Sequence, residues 1–443
     1  MSTNNFYTEK SRVLFNRAEA SLPGGVDGNI KFRSPFPIFL SKANGSHVWD
    51  VDGNDYVDYV LSYGALILGH GSKVVNESIE KLLSEYGTIL FGNPNIMEVD
   101  FGELLLSLYN KGGKIRFTNS GLEATLLAVR LGMAYTGKRK VAKFDGHYHG
   151  ANPFLLSNYR PGKPKRSDGN IDKEADSAEV KDDLLNNLVI LPFNDIEKTR
   201  EILEKENVGT VILEPFEDGY IPAKPEFIHF LRTYTRENGI ILVYDEVKTG
   251  FRIRIGGAVE FYSVTPDLIC LGKIIGGGAP IGAVIGNPEL MDLLDPRKDK
   301  NESVFHSGTF NGNPLSLSLG MATVKELMSN DNFKKIENTS SNLRKRISET
   351  FDKFGISHKM YGTGGIMNYT LSDNEIFTFR DLSKSSMQQR KQIDSLMLGM
   401  GIYLVPGSRF SLSLVHSDED INKTIKTLDT ALNEIYIKSS VHK

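Results

Sequence analysis

From about residue 114 the chain alternates between two textures. Short apolar runs recur at Lys114–Thr118, Lys140–Phe144, Leu188–Leu191, Gly209–Leu213, Ile240–Tyr244, Asp267–Leu271 and Ile281–Ile285, with longer amphipathic stretches between several of them. Runs such as VILEP and IILVYDE are apolar on both faces, as strands buried inside a mostly parallel sheet must be. Strands alternating with helical segments predict an α/β fold whose sheet is covered on both sides. Upstream, Ile38–Val60 alternates short β-prone runs with the turn pairs Asn44-Gly45 and Asp52-Gly53, which reads as a small antiparallel meander. Beyond Asn313 the pattern turns helical and returns to short strands near Tyr369 and Ser411, as expected of a C-terminal domain beside that meander. The polar stretch Tyr159–Asp183 reads as a long surface loop, either an active-site flap or an insertion without structure.

Composition narrows the partners. The chain has 443 residues, with 52 basic against 55 acidic, a net charge of −3, and 40% hydrophobic content. That length predicts two packed domains. No single-sign field follows from the charge, so nucleic acid and membrane surfaces are not expected partners. One cysteine, Cys270, rules out an intramolecular disulfide. The start, MSTNNFYTEK, has no apolar signal core, and no run approaches a membrane span. The expected location is cytoplasmic.

Candidate chemistry begins at Lys273, in DLICLGKIIGGGAPIGAVIG. Surroundings this apolar penalise an ammonium and lower its pKa, the setting in which a lysine becomes a nucleophile toward an aldehyde. Asp245 and Glu246 end the run GIILVYDE, and the C-terminal ends of buried strands are where open α/β sheets bind ligands. Together with Lys273, Asp245 suits the protonated ring nitrogen of pyridoxal 5′-phosphate (PLP), which works as an electron sink only in that form. In RFTNSGLEATLLAVR a strand, a turn at Asn119-Ser120-Gly121 and a helix aim free N–H groups at an anion, so Gly121 and Leu122 are candidates to cradle a phosphate. FDGHYHG offers two histidines but no third ligand at supporting spacing, so no metal is expected; Tyr148 there is a candidate stacking ring. Thr309, in HSGTFNGNP, has a hydroxyl in a Gly-rich turn that can reach a phosphate.

Taken together, these residues resemble the class III aminotransferases of PLP fold type I, most closely the glutamate-1-semialdehyde aminomutase-like branch. The matching segments run in order along the chain: LPGGV (Leu22–Val26), WDVDGNDYVDYV (Trp49–Val60), LGHG (Leu68–Gly71), FTNSGLEA (Phe117–Ala124), YHG (Tyr148–Gly150), FND (Phe193–Asp195), EP (Glu214-Pro215), DEVKTGFR (Asp245–Arg252), PDLICLGKIIGGGAPIGA (Pro266–Ala283) and SGTFNGNP (Ser307–Pro314). The resemblance implies a large domain with a mostly parallel seven-stranded sheet over 66–312. Residues 1–65 and 313–443 would supply a small α+β domain. It implies that Lys273 carries PLP as a Schiff base, that Asp245 faces the pyridine nitrogen, and that Ser120, Gly121 and Leu122 form the phosphate loop. Tyr148 and Val247 would pack the two ring faces, Asn194 would neighbour the cofactor's 3′-oxygen, and Glu214 would belong to the same site. Thr309 would reach the phosphate of a neighbouring subunit, implying a homodimer with shared sites.

Two departures bear on substrate. The aminomutases carry a serine after PGGVN and a glutamate in a C-terminal PSxFE motif, whereas this chain places Gly28 at the first position and reads VPGSRFSLSLVH (Val405–His416) at the second. Arg409 there, and Arg33 in FRSPFP (Phe32–Pro37), also resemble the carboxylate-gripping arginines of β-amino-acid aminotransferases. The reaction expected first is amino transfer between a carboxylate-bearing amine and a keto acid. The alternative is intramolecular transfer on glutamate 1-semialdehyde, and a racemase or decarboxylase on the same scaffold comes after both.

Overall fold

The structure, a computed structural model, describes residues 8–162 and 169–437. The N-terminal meander consists of β1 (Leu40–Asn44), β2 (His47–Asp50) and β3 (Asp55–Asp58). The apolar runs become β4 (Lys114–Thr118), β5 (Lys140–Phe144), β6 (Leu188–Leu191) and β7 (Val208–Leu213). A two-residue ribbon, β8 (Phe216–Glu217) and β9 (Ile221–Pro222), follows. Next come β10 (Ile241–Asp245), β11 (Leu268–Gly272) and β12 (Gly282–Gly286). The C-terminal part adds β13 (Lys359–Thr363), β14 (Ile366–Thr370), β15 (Ile402–Tyr403) and β16 (Phe410–Ser411).

Seven strands form the central sheet in the order β4-β12-β11-β10-β7-β5-β6. Strands β11, β10, β7, β5 and β6 pair in parallel, while β12 runs antiparallel to both of its neighbours. Every residue of β6, β7, β10, β11 and β12 is buried, which is why these strands are apolar on both faces. The helix Gly121–Thr136 covers one face; Ser120 caps its start and Gly137 ends it in the left-handed conformation.

The N- and C-terminal parts share a sheet of order β1-β2-β3-β15, and β13-β14-β16 form a third. The helix Asp418–Leu432 opens with a capping box made by Ser417 and Asp420. Asp420 also accepts from Ser46 Oγ (2.8 Å) and binds His47 Nε2 (2.9 Å), joining this helix to the meander. Residues 163–168 of the polar stretch lie outside the described residues. Its described start and end are anchored, by a bridge between Ser157 and Ala175 and by Tyr159 N–H donating to Asp176 Oδ2 (2.9 Å). No described helix is long and apolar enough to cross a membrane.

Candidate active site

The parallel strands deliver their chemistry at their C-terminal ends. Asp245 closes β10, Lys273 follows β11, Glu214 follows β7, and the loop carrying Tyr148 and His149 follows β5. In-register pairing of β10 with β11 sets Asp245 opposite Cys270, three residues before Lys273. These residues therefore gather at the C-terminal end of the sheet's interior strands, where open α/β sheets bind ligands.

Lys273 leaves β11 with φ +49°, a left-handed conformation that costs a non-glycine residue about 1–3 kcal/mol and survives only where the surroundings impose it. Its amine has no hydrogen-bond partner among the described residues. Burial, then the positive charges of Lys248 and Arg409, pull that amine down to about 8, against the opposing pull of Asp245 and Glu214. An amine so adjusted is neutral over part of the physiological range and is fit to attack an aldehyde.

Asp245 is almost fully buried. Its Oδ1 accepts from the Val247 N–H (3.0 Å) and its Oδ2 from His149 Nδ1 (2.8 Å). His149 is buried, its own carbonyl accepts from Thr125 Oγ1 (2.8 Å), and its Nε2 has no partner among the described residues. The histidine thus fixes the orientation of the carboxylate. Sequence reading missed it by treating the two histidines only as metal ligands. Among the described residues no group of three or more His, Cys, Asp or Glu is placed to hold a metal ion.

The turn Ser120-Gly121-Leu122 lies against the same cleft. Ser120 Oγ accepts from the Glu123 N–H (3.1 Å), leaving the first N–H groups of the helix for an anion. A Cβ at Gly121 would stand 2.7 Å from Val247 Cγ1, and one at Gly150 would stand 2.9 Å from Leu122 Cβ. The helix start, the strand β10 exit and the Tyr148 loop are therefore in mutual contact. Tyr148 packs on Tyr159 at 4.7 Å between ring centroids, and its N–H donates to Glu214 Oε2 (2.9 Å).

Charge crowds beside the Tyr148 ring, whose centroid lies 5.7 Å from Lys248 Nζ. Lys248 Nζ contacts Glu214 Oε1 (2.7 Å) and Asp218 Oδ1 (3.1 Å), and Arg409 Nη1 reaches the same Asp218 oxygen at 2.8 Å. Burial opposes charge on Asp218, but Lys248 and Arg409 outweigh it and hold its carboxyl below the ordinary value. Lys248 and Asp218 were not foreseen. The signal for them was a lysine inside the buried run DEVKTGFR and three acids within EPFED.

Other expected residues lie elsewhere. Asn194 is not brought to this cleft, because its amide is spent on backbone: Nδ2 donates to Pro222 O (3.3 Å) and Phe377 O (3.0 Å), and Oδ1 accepts from the Lys224 N–H (2.8 Å). Gly28 is exposed, and a Cβ there would meet nothing within 4 Å. Arg33 is half-buried, donating to Ile30 O (2.8 Å) and Phe32 O (2.7 Å). Thr309 is exposed in a cleft of about 820 Å³ that also includes Phe91, Arg116, His306 and Asn311. Asn119 Nδ2 donates to Asn311 Oδ1 (2.6 Å), so this cleft adjoins the Ser120 turn.

The residues fit PLP: an unbonded amine of lowered pKa, a buried acid held by a histidine, a helix start cleared by glycine, and an aromatic ring. Comparison with known proteins agrees. The model of the family described as aminotransferase class-III matches residues 31–432. A glutamate-1-semialdehyde 2,1-aminomutase from Thermodesulfovibrio yellowstonii is 38% identical over 429 residues, covering 95% of this chain and 97% of that protein. One of the same name from Methanosphaera stadtmanae is 35% identical over 436 residues, covering 97% and 99%. The crystal structure of an omega-transaminase from Sphaerobacter thermophilus superposes with a TM-score of 0.89 at 32% identity, covering 96% of this chain and 97% of that one. The architecture is PLP fold type I, and PLP is the cofactor.

Proposed function

We propose, from the premise that the chain belongs to the class-III aminotransferase family, that it moves an amino group within glutamate 1-semialdehyde to give 5-aminolevulinate. The observation that carries this reading is the similarity to aminomutases along 95% of the chain. The departures at Gly28 and Arg409 from the resembled aminomutases placed keto-acid-dependent transfer first in the sequence reading; the similarity to aminomutases supports intramolecular transfer instead.

PLP, once bound, supplies an electron sink for the carbon that loses its proton. Lys273 would hold the cofactor and, as a free amine, would carry that proton away and back. Asp245, oriented by His149, faces the ring nitrogen. Val247 and Tyr148 pack against the ring, and the Gly121 and Leu122 N–H groups bind the phosphate. Arg409 grips the substrate carboxylate. Thr309 serves the phosphate of a second copy of the chain in a homodimer, and we place the reaction in the cytoplasm.

A second reading, keto-acid-dependent transfer, is favoured by a specific observation. Where the aminomutases carry a serine and a glutamate, this chain has the open Gly28 and Arg409, the latter held by Asp218 at 2.8 Å. Incubating the PLP-loaded enzyme with glutamate 1-semialdehyde and no keto acid separates the two. Formation of 5-aminolevulinate is expected. Turnover that requires pyruvate or 2-oxoglutarate overturns the first reading in favour of the second.

A further inference from the structure

Two cations meet on one oxygen beside the reacting amine. Asp218 Oδ1 accepts from Arg409 Nη1 at 2.8 Å and from Lys248 Nζ at 3.1 Å. Lys248 is anchored independently by Glu214 Oε1 at 2.7 Å, and its ammonium stands 5.7 Å from the ring centroid of Tyr148. The side chains of Lys248 and Arg409 are 10% and 13% exposed and that of Asp218 is 26% exposed, so the two cations are better shielded from water than the carboxylate they share.

An arginine that grips a substrate must first leave its resting partner. Breaking a mostly buried pair one-to-one strands an unpaired carboxylate, which is costly. Here it is not stranded, because the lysine stays on the same oxygen. A second positive charge on Asp218 also weakens its hold on the first, since the two cations repel across a short distance.

We propose, building on the reading that Arg409 binds the substrate carboxylate, that Lys248 is a positioning residue that keeps Asp218 neutralised and so releases Arg409 to the substrate. Lys248 acts through Asp218 and does not touch the carboxylate itself.

The test uses PLP-loaded enzyme and pentanoate, a non-reacting carboxylate, with binding read from the change in cofactor absorption. This readout does not depend on which amino-transfer reaction the enzyme runs. Arg409→Ala is expected to weaken pentanoate about tenfold or more, the equivalent of one charged hydrogen bond; no change there refutes the grip by Arg409 and this proposal with it. Lys248→Met is expected to weaken binding about tenfold, as when a charge-assisted contact is made unavailable, and Lys248→Arg to restore most of it. Asp218→Asn, which lets Arg409 go, is expected to bind pentanoate at least as tightly as the unaltered enzyme. Adding Lys248→Met to Asp218→Asn is expected to cause no further loss. With Arg409→Ala weakened, an unchanged Lys248→Met overturns the proposal while leaving the grip intact. An equal loss from Lys248→Met in the Asp218→Asn background also overturns it, because Lys248 would then be meeting the carboxylate directly.

Discussion

At residue 273 the backbone twist and the local charge serve one end. In the proposed mechanism, replacing Lys273 with alanine would remove both the covalent attachment and the proton carrier, so the cofactor's long-wavelength absorption should vanish and turnover should fall by several orders of magnitude. Spectra and initial rates of the purified variant check this. The sign of the pH effect follows from an amine that titrates near 8 in the cofactor-free enzyme. Below that value the charged form predominates and cannot attack, so the rate of PLP capture should climb with pH, pass its half-maximum near pH 8 and level off above it. A rate flat from pH 6 to 10 contradicts the assignment. His149→Ala strips a buried carboxylate of one of its two partners, a loss of about 1–3 kcal/mol. It should lower kcat about ten- to a hundredfold, with PLP still attached to Lys273. An unaltered kcat would reduce His149 to a packing residue. The placement of Lys273 and Asp245 at the ends of buried strands was legible because the signals are local: a lysine between an apolar run and three glycines, and an acid ending another run. His149 was not, because it meets Asp245 across 96 positions. Arg409 and Asp218 meet across 191, a pairing that no local pattern encodes.

Elements position these residues by fitting closely where glycine allows it. The start of the helix Gly121–Thr136 touches Val247 so tightly that a Cβ at Gly121 would stand 2.7 Å from Val247 Cγ1. Gly121→Ala should therefore push the helix start out of line with the phosphate and weaken PLP binding at least tenfold, as displaced N–H donors would. Gly121→Ala combined with Val247→Ala should recover much of that loss in a PLP titration, because the clash is then removed. No recovery would mean that the glycine matters for some other reason. The Tyr148 loop has its own clamp. Lys143, fully buried in β5, donates to the carbonyls of His147 (2.7 Å) and Leu155 (3.1 Å) and to that of Ser157. Lys143→Met leaves those carbonyls without their donor, and a loss of about 1–3 kcal/mol in a denaturant melt is expected, together with weaker PLP binding. Strands β6, β7, β10, β11 and β12 were readable to within a residue because burial on both faces leaves an apolar run. A lysine inside β5 breaks that pattern, so its partners could not be read from it. Asn194, which the family resemblance cast as a neighbour of the cofactor, has its amide tied to the backbone at 222, 224 and 377.

On the scale of the molecule, the chain ends are brought together and one face is left rich in apolar groups. Strand β15 lies parallel to β3, with Ile402 opposite Val57, an association between distant segments that periodicity alone cannot register. Around the cleft that holds Thr309, the side chains of Phe305 and Phe310 are 80% and 58% exposed, and Phe91, Ile96 and Val99 are exposed beside them. Large apolar side chains gathered beside the turn proposed to bind phosphate are costly in water, and such patches commonly serve as contact surfaces. The proposed homodimer would cover them and give the exposed Thr309 a role. Phe310→Asp places a charge at the centre of that surface without touching Lys273 or Asp245. It should halve the mass seen in sedimentation velocity at micromolar concentration and weaken PLP retention in the same samples, since each site would lose the neighbour's Thr309. Thr309→Ala should weaken PLP retention while leaving the mass unchanged. If Phe310→Asp sediments as the unaltered protein does and holds PLP equally well, the apolar face does not join two copies and the sites are complete within one chain.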